Sequence, residues 1–245
     1  MSGRKGDQKK QGCLYVVATP IGNLEDLTLR ALRILEETSL IVCEDTRVTL
    51  KILNRYKLKR KLVSYFHPKE SQKIPKIIGH LKEGKDVALV SDAGTPGISD
   101  PGFPLIREAI AQGIKVTPIP GASALTAALS AAGLPSHRIL FLGFPSPKRE
   151  ALRKELLSLK DESATLVFYL PLRKLPLFLQ LLQETIGERE VVIAREMTKM
   201  HEEFLRGNTS ELLKTAEATS LKGEATVLIA GKAGGRKKSR KEAAI

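Results

Sequence analysis

Short runs of Val, Ile and Leu bounded by turn residues recur through the first half of the chain, at residues 13–18, 40–43, 61–65, 87–90 and 116–119. Between them the apolar residues fall at helical spacing, as in Leu29, Leu32 and Leu35, or Ile74, Ile77, Ile78 and Leu81. A short continuous apolar run fits a strand buried on both faces, whereas a three-to-four spacing fits an amphipathic helix. Strands and helices alternating over ~20–25 residues leave few folds open, because each helix carries the chain back to start a parallel neighbour. Five such units occupy residues 13–120.

Pro118, Pro120 and Gly121 then interrupt the pattern. Beyond them, residues 138–142, 164–170 and 190–194 read as strands, and 148–159 as a helix charged on one side. Residues 202–206 form an extra strand, and 224–230 the strand that closes the sheet. The expected class is α/β with two α/β domains. The N-terminal domain, residues 13–120, has a mainly parallel sheet, and the C-terminal domain, residues 121–231, a mixed one. Basic tails at 1–12 and 232–245 are expected to be disordered.

Apolar residues make up 42 % and charged residues 27 % of the 245 positions, which excludes an extended disordered chain. No apolar run approaches ~20 residues, so no membrane span is expected. The first twelve residues lack an apolar stretch, so no secretory leader is expected. Cys13 and Cys43 make no CxxC and no disulfide framework, which fits a reducing cytoplasm. Four scattered histidines without HExxH give no protein-held metal site. The net charge is +13, of which residues 1–12 carry +3 and residues 232–245 carry +5. Basic arms of this kind point to a polyanion, nucleic acid first; the alternative is a solubilising tail.

Three irregular loops follow three strands: residues 19–26, residues 91–102 and residues 120–124. Parallel strands put their carboxyl ends on one edge, where ligands bind in open α/β sheets. Gly94, Gly97, Gly102 and Gly121 let main-chain groups approach a ligand closely, so the three loops should form one small-molecule mouth. GxxxxGK[ST], GxGxxG and GxSxG are absent, which removes the commonest nucleotide, dinucleotide and hydrolase sites without identifying the ligand.

The identity of the ligand comes from longer segments. LYVVATPIGNLEDLTLRAL at residues 14–32, CEDTR at 43–47, VSDAGTPGISDPG at 90–102 and IPGASAL at 119–125 together resemble the tetrapyrrole-methylase-like group of S-adenosylmethionine (SAM) methyltransferases. Within that group they resemble its ribosomal RNA branch, which 2′-O-methylates a decoding-centre cytidine of 16S rRNA. The resemblance runs from about Leu14 to Gly231. It implies SAM held folded in a cleft between two domains, and a homodimer. It assigns the cofactor to Pro20 and Ile21 in the first loop, to Ala93, Gly94, Thr95 and Ile98 in the second, and to Ser123 and Ala124 after the third. Tyr169 in TLVFYLP, Ala194 and Met197 in AREMT, and Ala225 and Thr226 in the last strand complete the assignment. Thr95 stands where other branches carry an aspartate, so the resemblance does not carry over an acidic contact there, while main-chain contacts from Ala93 and Gly94 are expected to survive the change.

SAM carries a sulfonium methyl and supplies the electrophile. The protein has to hold a ribose 2′-oxygen in line, about 3 Å from that carbon, and take the hydroxyl proton. The catalytic carboxylates are sought among Glu44, Asp45 and Asp100, with Asp26 and Asp92 behind them. Asp45 is equally placed to cap the helix starting near Arg47, and Asp100 to start the next one. RNA contacts are expected from Arg47, from the basic run Arg55, Lys57, Lys59, Arg60 and Lys61, and from Lys199; the alternative for each is a solvated surface. His67 is placed to stack on a base or line the cleft. Aromatic residues are only 4 %, with no tryptophan, which makes an aromatic stacking platform less natural than backbone and shape reading. Two other functions fit the same residues: a SAM methylase acting on a small tetrapyrrole or a protein side chain, and a non-catalytic RNA-binding or ribosome-assembly module. The basic tails and the intact SDAGTPGISDPG loop argue against them in turn.

Overall fold

All five apolar runs of the first half form strands: β1 (Cys13–Val17), β2 (Leu40–Cys43), β3 (Leu62–Ser64), β4 (Val87–Val90) and β5 (Lys115–Ile119). The computed structural model describes residues 11–65, 70–219 and 222–232. Most of both basic tails, and His67, lie outside the described residues. The chain divides between Ser123 and Ala124 into two compact units.

In the first unit the strands run in the order β3-β2-β4-β1-β5, and every pairing is parallel. The sheet is thus wholly parallel rather than mainly so. β2 and β4 are buried at all four of their positions, which is why their sequences, LIVC and VALV, are apolar without alternation. Four helices connect the strands: α1 (Leu29–Glu37), α2 (Thr46–Arg55), α3 (Glu70–Lys82) and α4 (Phe103–Ala111). The chain steps outward from β1 to β2 and β3, then returns to β4 and on to β5. With right-handed crossovers this reversal sends successive helix pairs to opposite faces. Accordingly Ile34, Leu35, Ile52 and Leu53 of α1 and α2 pack in one cluster, and Ile77, Leu81, Leu105 and Ala109 of α3 and α4 in another. Pro118 is accommodated because β5 is an edge strand.

The second unit opens with α5 (Ala124–Ala132), which the strand pattern did not reveal. It continues through β6 (Ile139–Gly143), α6 (Arg149–Ser158), β7 (Thr165–Pro171), α7 (Leu175–Thr185), β8 (Glu190–Arg195), β9 (Glu203–Asn208), α8 (Thr209–Ala218) and β10 (Glu224–Ile229). The sheet order is β6-β7-β10-β8-β9; β6 and β7 are parallel and the other pairs antiparallel. β10 therefore completes the sheet from its middle and not from its edge. One face carries the core, in which Phe168, Ile193 and Val227 meet Leu156, Phe178 and Leu212 of the helices. The Phe168 and Phe178 rings meet edge to face with centroids 5.2 Å apart, a contact worth about 0.5–1.5 kcal/mol beyond its area.

Candidate active site

The strand order brings the loop-bearing strands of the first unit together. β4, β1 and β5 are adjacent and β2 borders β4, so CEDTR and all three glycine-containing loops leave from one edge. The chain leaves β1 towards β2 and leaves β4 towards β5. That divergence opens a crevice at the carboxyl ends of β1 and β4. Across it the first two loops are fastened by a two-way main-chain bridge: Thr19 N–H donates to the Gly94 carbonyl at 2.8 Å, and Gly94 N–H to the Thr19 carbonyl at 3.0 Å. The buried Thr19 hydroxyl donates to the Ser91 carbonyl at 3.0 Å. Gly94 is at φ +79°, and a Cβ there would lie 3.7 Å from Ile21 Cγ2. Any other residue in this left-handed region costs about 1–2 kcal/mol. Gly102, at φ +142°, is also packed, since a Cβ would come within 3.1 Å of Leu89 Cδ2 and 3.3 Å of the Gly97 nitrogen.

Of the expected cofactor residues in these loops, Pro20 and Gly94 are buried, Ile21 and Thr95 half-buried, and Ala93 and Ile98 exposed. The mouth therefore combines apolar walls with main-chain groups. Among the described residues no group of three or more His, Cys, Asp or Glu is placed to hold a metal.

The carboxylates beside the crevice divide by environment. Asp92, just past β4, accepts the Asp45 N–H on Oδ1 at 3.0 Å. Its own main-chain N–H faces the Glu44 carboxylate and favours its charged form. The Asp45–Asp92 hydrogen bond clamps the end of β2 to the end of β4 and keeps the partly buried Glu44 and Asp92 carboxyls close together. Burial, followed by the Asp92 charge, raises the Glu44 pKa above the ordinary carboxylate range. Burial raises that of Asp92 as well. Asp45 behaves oppositely. It caps α2 by accepting the Arg47 N–H at 2.8 Å and pairs with the Arg47 guanidinium at 2.6 Å. Its side-chain and main-chain hydrogen bonds from Arg47 hold its pKa down at about 2. Glu44 is thus the more basic group and Asp45 the structural one. Asp100 sits half-buried in the second loop, and Asp26 is exposed in a single 3-10 turn.

In the second unit, three of the expected cofactor residues share one cross-strand row: Tyr169 on β7 is opposite Thr226 on β10, which is opposite Ala194 on β8. Directly opposed residues point to the same face of a sheet, here the face away from the α6–α8 core. Ala225 points the other way and belongs to the core cluster, so its side chain is not available to a ligand on that face. Met197 is buried just past β8, and Ser123 and Ala124 are half-buried at the start of α5. Phe141 and Phe144, not foreseen as functional, both set their rings against Tyr169, with centroids 5.0 and 5.7 Å away.

The basic run lies elsewhere. Arg55 ends α2, and Lys57, Lys59, Arg60 and Lys61 lead into the amino end of β3. The Lys61 carbonyl accepts from Ile41 N–H at 2.9 Å, and the Arg60 guanidinium donates to the Glu36 carbonyl at the end of α1. This is the opposite edge of the sheet, roughly 13 Å along β2 from Glu44. Of the expected RNA contacts in the first unit, Arg47 alone is at the mouth. In the second unit Lys199 pairs with Glu196 at 3.1 Å.

Residues 13–213 match the sequence profile of the Tetrapyrrole (Corrin/Porphyrin) Methylases. The chain is 48 % identical to Ribosomal RNA small subunit methyltransferase I of Thermotoga maritima over 221 residues, spanning 90 % of this chain and 99 % of that one. It is 41 % identical to the protein of that name from Bacillus subtilis, over 90 % of this chain and 75 % of the relative. Among solved structures, cobalt precorrin-4 methyltransferase superposes with a TM-score of 0.67 at 16 % identity, over 89 % of this chain and 94 % of that chain. Uroporphyrin-III C-methyltransferase from Thermus thermophilus, complexed with S-adenosyl homocysteine, gives 0.63 at 18 % identity over 89 % and 97 %. These two likenesses concern the fold.

Proposed function

The chain belongs to the tetrapyrrole (corrin/porphyrin) methylase family, among the ribosomal RNA small subunit methyltransferases I, and on that premise we propose that it methylates the ribose 2′-oxygen of a cytidine in 16S rRNA. It is a SAM-dependent rRNA methyltransferase. The observation that carries the finer reading is the partly buried Glu44 carboxyl next to Asp92, at the Asp45–Asp92 clamp beside the bridged glycine loops. An alcohol is a poor nucleophile until its proton has somewhere to go, and a carboxylate of raised pKa is a better acceptor than an ordinary one.

SAM, when bound, supplies an activated methyl group. Pro20, Ile21, Ala93, Gly94, Thr95 and Ile98 are the residues of the first unit that hold it. The family resemblance adds Ser123 and, on the second unit, Ala124, Tyr169, Ala194, Met197, Ala225 and Thr226 as expected contacts. Glu44 takes the 2′-hydroxyl proton on its carboxylate. Asp92 orients Glu44 through its N–H, fixes the turn into α2 through its side chain and keeps the base strong through its charge. Asp45 holds Arg47 at the mouth, where its guanidinium faces an incoming phosphate. Asp100 belongs to the scaffold of the second loop.

The protein acts as a homodimer. Phe103 and Ile110 support this, lying two turns apart on one face of α4 and 64 % and 62 % exposed; apolar side chains aligned in this way are normally covered. Incubation with labelled SAM and either small ribosomal subunits or free 16S rRNA, followed by mapping of ribose methylation, tests the reaction. Label on a cytidine 2′-oxygen is expected; label on a base, or only on a tetrapyrrole, refutes it.

A further inference from the structure

Aromatic residues are scarce in this chain, yet three of them converge at the ends of β6 and β7. Residues three apart on a regular strand point to opposite faces. Phe141 and Phe144 nevertheless both reach the Tyr169 ring. The cause is local: the β6–β7 register shifts between Phe141 and Gly143, and Gly143 takes φ +65°. A bulge of this kind re-aims side chains at the end of a strand. Its effect here is to leave Phe144 54 % exposed while bracing it edge-on against Tyr169. A large apolar ring held rigidly towards solvent is what a stacking partner requires, and burial of the core gains nothing from it.

The chain after Phe144 adds charge. Ser146 N–H donates to the Glu155 carboxylate at 3.3 Å and Lys148 N–H to the Ser146 hydroxyl at 3.4 Å, which anchors the turn into α6. On that helix Arg149 and Arg153 are exposed, one turn apart on the same face, and neither belongs to an ion pair among the described residues. Two like charges at this spacing repel each other, so an anion placed between them is favoured.

We infer that Phe144, braced by Tyr169 and Phe141, is a stacking seat for a nucleobase of the RNA substrate, and that Arg149 and Arg153 grip the adjoining phosphates. The inference rests on the proposed RNA substrate and adds a recognition site on the second unit. Stacking on an aromatic ring tolerates any base, so the seat orders the strand and leaves base identity to other contacts. The sparse aromatic content does not argue against it, because one exposed, braced ring serves one base.

The chain contains no tryptophan, so Phe144→Trp introduces a single fluorescent reporter at the seat. With small ribosomal subunits as substrate, Phe144→Ala is expected to raise KM for subunits about 10- to 100-fold while SAM affinity by calorimetry changes less than about twofold. Phe144→Trp is expected to keep KM near wild type, and its emission to be quenched by subunits and not by SAM. Arg149→Glu with Arg153→Glu is expected to weaken subunit binding and to flatten its salt dependence by about two phosphate contacts. An unchanged KM in Phe144→Ala overturns the seat, as does a loss of SAM affinity, which would make the ring part of the cofactor pocket. Failure of the wild-type protein to methylate subunits is a separate result and sinks the proposed reaction itself.

Discussion

The two edges of the first sheet are built from the same strands and serve different ends. At the carboxyl edge the connections are long, rich in Gly and Pro, and bridged to each other by main-chain hydrogen bonds between Thr19 and Gly94. At the amino edge they are short and charged, with Lys57, Lys59, Arg60 and Lys61 exposed to solvent. Both edges contain glycine with positive φ: Gly94 at +79° on the first and Gly113 at +69° on the second. A Cβ on Gly113 would meet nothing within 4 Å. The comparison teaches that backbone conformation alone does not mark a site; what distinguishes Gly94 is the bridge it makes and the crevice it borders.

The sharpest way to break the comparison is to load both glycines equally. Gly94→Leu is expected to abolish detectable SAM binding in calorimetry. Gly113→Leu, with the same penalty of about 1–2 kcal/mol for the left-handed conformation, is expected to lower Tm and leave SAM affinity intact. Equal loss of binding in both variants would mean that the effect is strain and not the site.

The next effect separates neighbours on one edge. Glu44→Gln is expected to lower kcat by about 10²- to 10⁴-fold with SAM affinity preserved. Asp45→Ala is expected to lower Tm through the lost α2 cap and to change kcat far less. A reversed order would move the proton acceptor from Glu44 to Asp45.

A smaller effect lies in pH. The Glu44 carboxyl binds its proton more tightly in the folded protein than in the unfolded chain. The acid limb of kcat/KM should therefore lie above the ordinary carboxylate range, and Asp92→Asn should move it to lower pH by removing a like charge. The same sign governs stability. The stabilising contribution of these two carboxyls is complete below their unfolded pKa and is lost as pH rises through the raised folded values. An acid limb that stays in place in Asp92→Asn would uncouple the pair.

The smallest effect belongs to the amino edge. Lys57→Ala with Lys59→Ala and Lys61→Ala is expected to weaken subunit binding severalfold, to lower the salt slope and to leave kcat at saturation unchanged. An unaltered slope would make that edge a plain solvated surface.

Much of the carboxyl edge was legible in the sequence. Unalternated runs such as LIVC and VALV named the buried strands, and the loops following them named the mouth. The wider reading depended on segments such as SDAGTPGISDPG, since glycine and proline alone do not name a ligand. What stayed hidden was set by pairing at long range. The clamp joins Asp45 to Asp92, 47 positions apart, and exists only because β2 and β4 are neighbours. The basic run 55–61 announced exposure but carried no information about which edge it would occupy. The aromatic trio depended on a bulge at the end of β6, where Phe141 and Phe144 read as strand and loop with no sign that they meet. Ala225 and Thr226 are adjacent on β10 and so face opposite ways: Ala225 enters the core cluster and Thr226 faces away from it, a division that the pairing of β10 with its neighbours makes plain.

The placement of β10 in the interior of its sheet bears on how the polypeptide matures during translation. The five strands of the first unit are complete once residue 119 has emerged, so that half is ready to fold early. β7 and β8 share no edge until residues 224–229 slot between them, so the second half stays open-seamed until that segment has emerged. A nascent chain stalled short of that point would present one finished lobe and one with two unzipped strands, which makes this lobe the part most exposed to chaperones and proteases at birth.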